Sequence, residues 1–284
     1  ARMRIAITGG AGFLGAALAR RLLAAETLAV GGRDGIVLDE LLIADLVAPP
    51  DDVAGDPRVR SVVGDLARTA DELGNCDAIL HLAGVVSGAA EADFDLGMRV
   101  NVDDLRTVLE TGRRRAEPPV LVFTSSLAVF GSDPAIGPIG LVDDDTMPRP
   151  QSSYGIQKLI GEQLVADYTR KGFLRGRSVR LMTVSVRPGR PNAAASSFLS
   201  GIVREPLAGE PAVCPVPPDT PIALSSPRRT LDGILVALAA GDEAWGSRTA
   251  MNLPALTTTP REMAGALERA AGARVRELIS WTED

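Results

Sequence analysis

Among 284 residues the sequence has one histidine, His81. A metal site built from several histidines, or a Cys/His zinc cluster, is therefore excluded, and no metal is expected. A histidine-based triad could draw only on His81, which the pattern places at the end of a buried strand. Cysteine is nearly as scarce. Cys76 and Cys214 lie far apart with no Cys-x-x-Cys spacing, and they read as reduced thiols of a cytoplasmic protein. Aromatic residues are few, while alanine, glycine and arginine are many. An excess of positive charge is also lacking. The formal net charge is -6, which does not favour a general nucleic-acid binder. No apolar run approaches the ~18 residues that suggest a membrane span. The first strand begins at Met3, leaving no room ahead of it for a leader. The length suffices for one large or two modest domains.

What the chain does have is a strand followed by a glycine loop. Met3–Thr8 reads as a short strand, Gly9-Gly10-Ala11-Gly12-Phe13-Leu14-Gly15 as a turn, and the stretch through Leu18, Leu22 and Leu23 as an amphipathic helix. This is the first half of a dinucleotide-binding unit. Gly9 permits the tight turn, Gly12 the approach of a pyrophosphate, and Gly15 close packing of helix on strand. The pyrophosphate then sits at the helix N-terminus, where free N–H groups favour an anion. A second strand, Glu40–Ala44, ends at Asp45, placed for the adenosine ribose hydroxyls. A carboxylate there repels a 2′-phosphate and argues for NAD over NADP. Arg33, read as lying in the preceding loop, is the caution.

Further strands are expected at Val59–Val63, Ala78–Leu82, Val120–Ser126 and Val179–Val186. After the first of these, Asp65 either reaches the adenine amino group or closes a turn. Small residues at Ala83-Gly84 let backbone lie against a cofactor. A helix from about Ala90 to Gly112 carries Asn101 on its inner turn. Arg113-Arg114-Arg115 ends it, complementing the dipole or offering a phosphate site. In a doubly wound sheet ligands bind beyond the carboxyl ends of the strands, which puts Ser125 and Ser126 at the crevice. Next, beyond the solvated run Asp143-Asp144-Asp145, comes a helix to about Arg170. It carries Tyr154 and Lys158, four residues apart on one face. A lysine ammonium lowers the pKa of a neighbouring phenol, so the pair can exchange a proton with an alcohol near neutral pH.

The expected fold is α/β, a Rossmann-type doubly wound parallel sheet with a small C-terminal substrate-binding subdomain. Residues 1–188, with a returning segment at about 230–255, form the first part. Residues 189–229 and 256–284, broken by prolines, form the second, which closes over the crevice. A helix is expected near Leu231–Ala240, a strand at Ala250–Leu253, and another helix starting at Thr259-Pro260. Trp281–Asp284 comes without a capping element, so the chain is expected to continue beyond it.

Over nearly its whole length the sequence resembles the extended short-chain dehydrogenase/reductases, which include sugar-nucleotide epimerases and dehydratases. The motifs are Thr8–Gly15, His81-Leu82-Ala83-Gly84, Ser125–Gly131 and Tyr154-Gly155-Ile156-Gln157-Lys158. The resemblance implies NAD held by Gly9, Gly12, Phe13, Leu14, Gly15, Asp45, Asp65, Leu66, Leu82, Ala83, Gly84, Asn101, Thr124, Tyr154, Lys158 and Pro188. It implies Tyr154 as the proton-transfer residue, Lys158 on the nicotinamide ribose, Ser126 on the reacting oxygen, and Asn101 supporting a proton relay. Phe130 stands where the family usually has tyrosine. The segments Thr183–Phe198, Arg204–Leu207 and Ser226–Thr230 resemble a subgroup that oxidises a four-carbon sugar acid at its 2-hydroxyl. That implies a substrate site of Ser125, Ser126, Tyr154, Asn192 and Ser197, with Arg187, Arg190, Arg228 or Arg229 gripping the carboxylate. The rival is a nucleotide-sugar 4-epimerase, which would share the Ser-Tyr-Lys set. A 4,6-dehydratase needs an Asp-Glu pair where Leu127-Ala128 stands. A non-catalytic NAD sensor has no reason to keep the three residues in register. A homodimer through the Asn101 and Tyr154 helices is expected, with a small-molecule substrate and no membrane or nucleic-acid partner.

Overall fold

The computed structural model describes residues 1–189 and 194–282. The chain divides into two units, Ala1–Arg180 with Leu231–Asn252, and Leu181–Thr230 with Leu253–Asp284. The first ends at Arg180, earlier than the expected boundary at 188.

The first unit is built on β1 (Arg2–Thr8), β2 (Leu28–Val30), β3 (Arg33–Asp45), β4 (Val59–Val63), β5 (Ala78–His81), β6 (Val120–Ser126) and β7 (Arg175–Leu181). With a two-residue return at Met251–Asn252 they form one sheet of eight strands. Apart from β2, their order is β4-β3-β1-β5-β6-β7 and then the returning strand. Strand pairing is parallel from β4 through β6. The chain therefore winds outward from β1 in one direction and from β5 in the other, the arrangement of a doubly wound sheet with a crevice at its switch point. β6 is buried at six successive positions from Val120 to Ser125, as a strand covered on both faces must be.

The main helices are α1 (Phe13–Ala24), α2 (Asp104–Arg113) and α3 (Ser153–Arg170). Leu105, Val108 and Leu109 of α2 and Val165 of α3 pack with Leu121 and Phe123 of β6 in one core. The single helix expected from Ala90 to Gly112 is instead broken into Ser87–Ala92, Phe94–Met98, a wide turn at Arg99–Asp103, and α2. The break has a cause in the sequence. The Asp93 side chain accepts from Leu96 N–H at 2.9 Å and starts a new helix there. At the C-terminal end of α2, Arg114 pairs with Asp71 at 3.0 Å. Arg115 bonds the Gly74 carbonyl and Asp77. These contacts tie the end of α2 to the short helix Ala70–Asn75 and to Asp77 just before β5.

β7 begins four residues before the expected Val179, in a stretch whose apolar pattern arginines interrupt. Arg177 and Arg180 are nevertheless buried, each on a carboxylate: Arg177 on Asp242 at 2.7 Å, Arg180 on Glu162. Beyond Leu181 the chain leaves the sheet.

In the second unit Thr183–Val184 pairs with Ile222–Ser225, which also pairs with Leu256–Thr258. Ala212–Cys214 pairs with Ile279–Trp281 in a two-stranded ribbon. The helices Phe198–Leu207 and Pro260–Ala271 close this unit's core through Ile202, Ala264 and Leu267. Thr259 and Glu262 form a reciprocal cap at the start of the second helix. No helix among the described residues is long and apolar enough to cross a membrane.

Candidate active site

The glycine loop follows β1 directly. Gly9 has φ +70°, and a Cβ there would lie 2.7 Å from the Ala83 nitrogen. A Cβ on Gly15 would lie 2.2 Å from the Gly9 carbonyl oxygen, so only glycine lets α1 sit this close to the strand. No side chain caps α1, and its first turn, Phe13 to Gly15, carries no acid. The loop is thus a backbone cradle ending on free helix N–H groups, which fits a dinucleotide pyrophosphate.

Asp45 ends β3 beside this loop. Its carboxylate accepts from Ala11 N–H at 2.9 Å and Leu46 N–H at 2.7 Å. Arg33 does not lie in a loop near it. Arg33 opens the same 13-residue strand, about 40 Å away at ~3.3 Å per residue. The sequence-based caution is removed, because Arg33 is at the other end of the sheet from any ribose that Asp45 could hold. NAD is therefore expected to bind at least tenfold tighter than NADP, with Asp45→Ala narrowing the gap. Fluorescence titration with both dinucleotides checks this, and equal affinities in the parent protein would contradict it.

Asp65 takes the turn role: its side chain caps a short helix at Leu66–Thr69, accepting from Ala67 N–H at 2.9 Å. Leu66 is buried beneath it. Beyond β5, Leu82 and Ala83 are held by Thr8, through its carbonyl and hydroxyl respectively. Gly84 is exposed, and a Cβ there would meet Asn101 Oδ1 at 2.9 Å and Lys158 Nζ at 3.4 Å. His81 is fully buried on the Thr8 hydroxyl at 2.8 Å. Burial pushes its pKa down to about 3, so it stays neutral.

Two elements bring the reactive side chains together. Ser126 ends β6, and its hydroxyl oxygen accepts from Ala128 N–H at 3.1 Å. α3 starts at Ser153, capped by Ser152 on Gly155 N–H, with Glu91 accepting from Ser153 N–H. A Cβ on Gly155 would lie 2.1 Å from the Ala128 carbonyl oxygen, so the start of α3 lies directly on the turn that follows Ser126. Tyr154 is half-buried there. One turn on, Lys158 is buried, donates to the Thr124 carbonyl at 3.0 Å, and has its ammonium 5.7 Å from the Tyr154 ring centre. Burial pushes the lysine down to about 8. It therefore remains an ammonium at neutral pH. Thr124 donates in turn to the His81 carbonyl, locking β6 to β5.

Asn101 lies in the wide turn before α2 and is buried. It bonds both polar atoms of the Val85 backbone and donates to Gln157 at 2.8 Å. It thus fixes the segment after Gly84 to α3. Three residues further, Asp104 is buried with Asp65 and Asp103 nearby, and its carboxyl is pushed up to about 6, chiefly by burial. A carboxyl raised in the fold opposes folding as pH rises from about 4 through 6. Asp104→Asn is expected to stabilise the cofactor-free protein by about 1–3 kcal/mol at neutral pH and hardly at all in acid. Thermal melts at both pH values check this; an equal gain at both would contradict it.

Ser125 is corrected. It was expected at the crevice with Ser126, but successive strand residues face opposite sides. Its hydroxyl is buried and donates to Glu162 at 2.5 Å. Glu162 is in turn gripped by both arms of Arg180, at 2.9 and 2.8 Å. Arg180 also lies 4.9 Å over the ring of Phe130. Sequence reasoning missed Glu162, Arg180 and Gln157. The signal for Glu162 was its spacing, four residues beyond Lys158 as Lys158 is beyond Tyr154.

In the second unit, Arg187 is half-buried, its N–H on Ser200 and its carbonyl on Arg204, while Pro188, Arg228 and Arg229 are exposed. Ser197 ends a short turn at Ala195–Ser197. Arg190 and Asn192 lie outside the described residues.

A backbone cradle for a dinucleotide at the switch point of a doubly wound sheet, with an acid at the end of the neighbouring strand β3, defines a Rossmann-type dinucleotide-binding protein. Residues 5–221 match the NAD dependent epimerase/dehydratase family, and the chain belongs to that family, the extended short-chain dehydrogenase/reductases. It is an NAD-dependent oxidoreductase. It is similar to the D-erythronate dehydrogenase of Cupriavidus necator, 50% identical over 286 residues that cover 99% of this chain and 86% of the relative. That of Haemophilus influenzae is 41% identical, covering 99% and 87%. Among solved structures, a nucleoside-diphosphate-sugar epimerase from Agrobacterium tumefaciens superposes with a TM-score of 0.89 at 36% identity, over 100% of this chain and 83% of that one.

Proposed function

We propose that the protein oxidises the 2-hydroxyl of D-erythronate, or of a closely similar small sugar acid, with NAD. The observation that carries the chemistry is Lys158, buried one helical turn from Tyr154 and anchored beside the strand end that presents Ser126. The substrate class comes from the two relatives named as D-erythronate dehydrogenases. The loop from Gly9 to Gly15, Asp45 and Lys158 hold the cofactor. Bound NAD would supply the hydride acceptor. The Lys158 ammonium favours the Tyr154 phenolate, which takes the proton of the substrate hydroxyl. Ser126, its oxygen already accepting from Ala128, keeps its own proton to donate to the reacting oxygen. Asn101 and Thr124 hold the backbone on either side in place. The substrate carboxylate calls for a cation, and Arg187, Arg190, Arg228 and Arg229 remain the candidates, with Asn192 and Ser197 as further polar contacts.

The Agrobacterium relative, named as an epimerase, keeps one second reading in view. Inversion of a nucleotide sugar would use the same Ser126, Tyr154 and Lys158. Mixing the protein with NAD and a panel of four-carbon sugar acids, then with UDP-sugars, separates the two. Net NADH from an acid supports the dehydrogenase; inversion of a UDP-sugar without net NADH supports the epimerase.

We also infer a symmetric dimer through α2 and α3, since Ile156 of α3 is half exposed and Leu159, Ile160 and Leu164 are only partly buried. Light scattering should give twice the chain mass; a monomer at all concentrations would contradict it.

A further inference from the structure

We propose that Glu162 is the fixed counter-charge that keeps Lys158 an ammonium where α3 packs on β6, and that Arg180 and Ser125 are built around it to hold it there. The inference rests on the reading of Tyr154 and Lys158 given above, and deepens it by naming what sustains the lysine's charge.

A buried lysine tends to lose its proton, because burial removes the water that stabilises the ammonium. Lys158 is 4% exposed. Several neighbours of its ammonium can be named. The Thr124 carbonyl accepts from it, and the ring of Phe123 lies 5.0 Å away on β6. His81 on β5 is neutral. Gly84 and the Asn101 amide, on the side of the wide turn, carry no charge. On its own helix stand Tyr154, one turn before, and Glu162, one turn after. Glu162, itself paired with the buried Arg180 cation, is a negative charge one turn away whose attraction favours the ammonium.

An unpaired buried carboxylate would itself take up a proton and cease to be a counter-charge. This one is fully paired. Glu162 is fully buried, accepts both arms of Arg180, and takes the Ser125 hydroxyl on Oε1. The guanidinium grips the carboxylate through two hydrogen bonds, and the hydroxyl adds a third. Arg180 is buried too, stacked on Phe130. The three groups come from β6, α3 and β7, so the charge is fixed to the same strand that carries Thr124 and Ser126. A structural salt bridge alone would not need to sit one turn from the lysine that tunes the proton-transfer tyrosine. Glu162 is thus a positioning residue, acting through Lys158.

The lysines of this chain are Lys158 and Lys171, and Lys171 is exposed. Labelling lysine at Cε and Nζ lets magnetic resonance follow Lys158 directly, with Lys171 as internal reference and without any turnover. In the cofactor-free full chain, Glu162→Gln is expected to lower the titration midpoint of Lys158 by about one to two pH units, leaving Lys171 unmoved. Because Glu162→Gln leaves Arg180 unpaired, the double variant Glu162→Gln, Arg180→Met serves where the single one does not fold. It removes both charges and is expected to lower the midpoint in the same direction by a smaller amount. A Lys158 midpoint unchanged in the folded single variant, or in the double variant when that is the one that folds, overturns the proposal. The outcome is independent of whether Tyr154 transfers the proton, which activity of a Tyr154 variant decides separately.

Discussion

Tyr154→Phe is expected to lower turnover by ~10²–10⁴-fold, the usual weight of a positioned acid–base group. The ring stays and only the hydroxyl is lost. Tyr154 is half-buried at the first turn of α3, where the cap by Ser152 and the anchor on Glu91 do not involve its side chain. The cofactor cradle lies on other elements, around β1 and α1. Thermal stability and NAD affinity should therefore stay close to those of the parent while kcat collapses. Parallel measurement of melting, NAD titration and turnover separates this from misfolding. Full activity in the variant would show that some other group takes the proton.

Gly155→Ala is expected to be almost as damaging, by a different route. In an exposed helix the change would stabilise, since alanine exceeds glycine in helix propensity by about 1 kcal/mol. Here the new Cβ would lie 2.1 Å from the Ala128 carbonyl oxygen and 3.0 Å from the side chain of Pro150. Either α3 or the turn Leu127–Val129 must move. That turn follows Ser126 directly, and α3 carries Tyr154 and Lys158, so the three reactive groups lose register. Overpacking of this kind costs about 1–3 kcal/mol. A displacement near 1 Å is enough for a roughly 10²-fold loss in turnover. Gly74→Ala is the control: nothing lies within 4 Å of the added carbon and its φ is ordinary. It should leave both stability and turnover near parental values. Equal effects of the two substitutions would contradict the packing argument.

The doubly wound sheet and its glycine cradle were legible because their signals are local. A strand, three glycines at fixed offsets and an amphipathic helix stand within the first 24 residues, and Asp45 falls at the end of its strand as expected. What escaped was set by contacts distant in sequence. β7 was placed too late because Arg177 and Arg180 interrupt the apolar run, and their carboxylate partners Asp242 and Glu162 are far along the chain or on another layer. Arg33 was taken for a loop residue because the two-residue turn Gly31-Gly32, both at positive φ, joins β2 to β3 as a hairpin and was not read as one. The helix through Asn101 was read as continuous, since nothing in the periodicity shows that Asp93 caps a fresh start. Ser125 and Ser126 looked equivalent in sequence, but strand alternation sends one hydroxyl into the core and leaves the other at the strand end.

The central claim is removal of the hydrogen at carbon 2 of a small sugar acid. The most direct measurement uses D-erythronate carrying deuterium at that carbon alone, with NAD in excess. The expected result is deuterium in the NADH formed, one atom per turnover, with slower turnover than for the unlabelled acid. NADH formed without deuterium, or no NADH from this acid at any concentration, would contradict it.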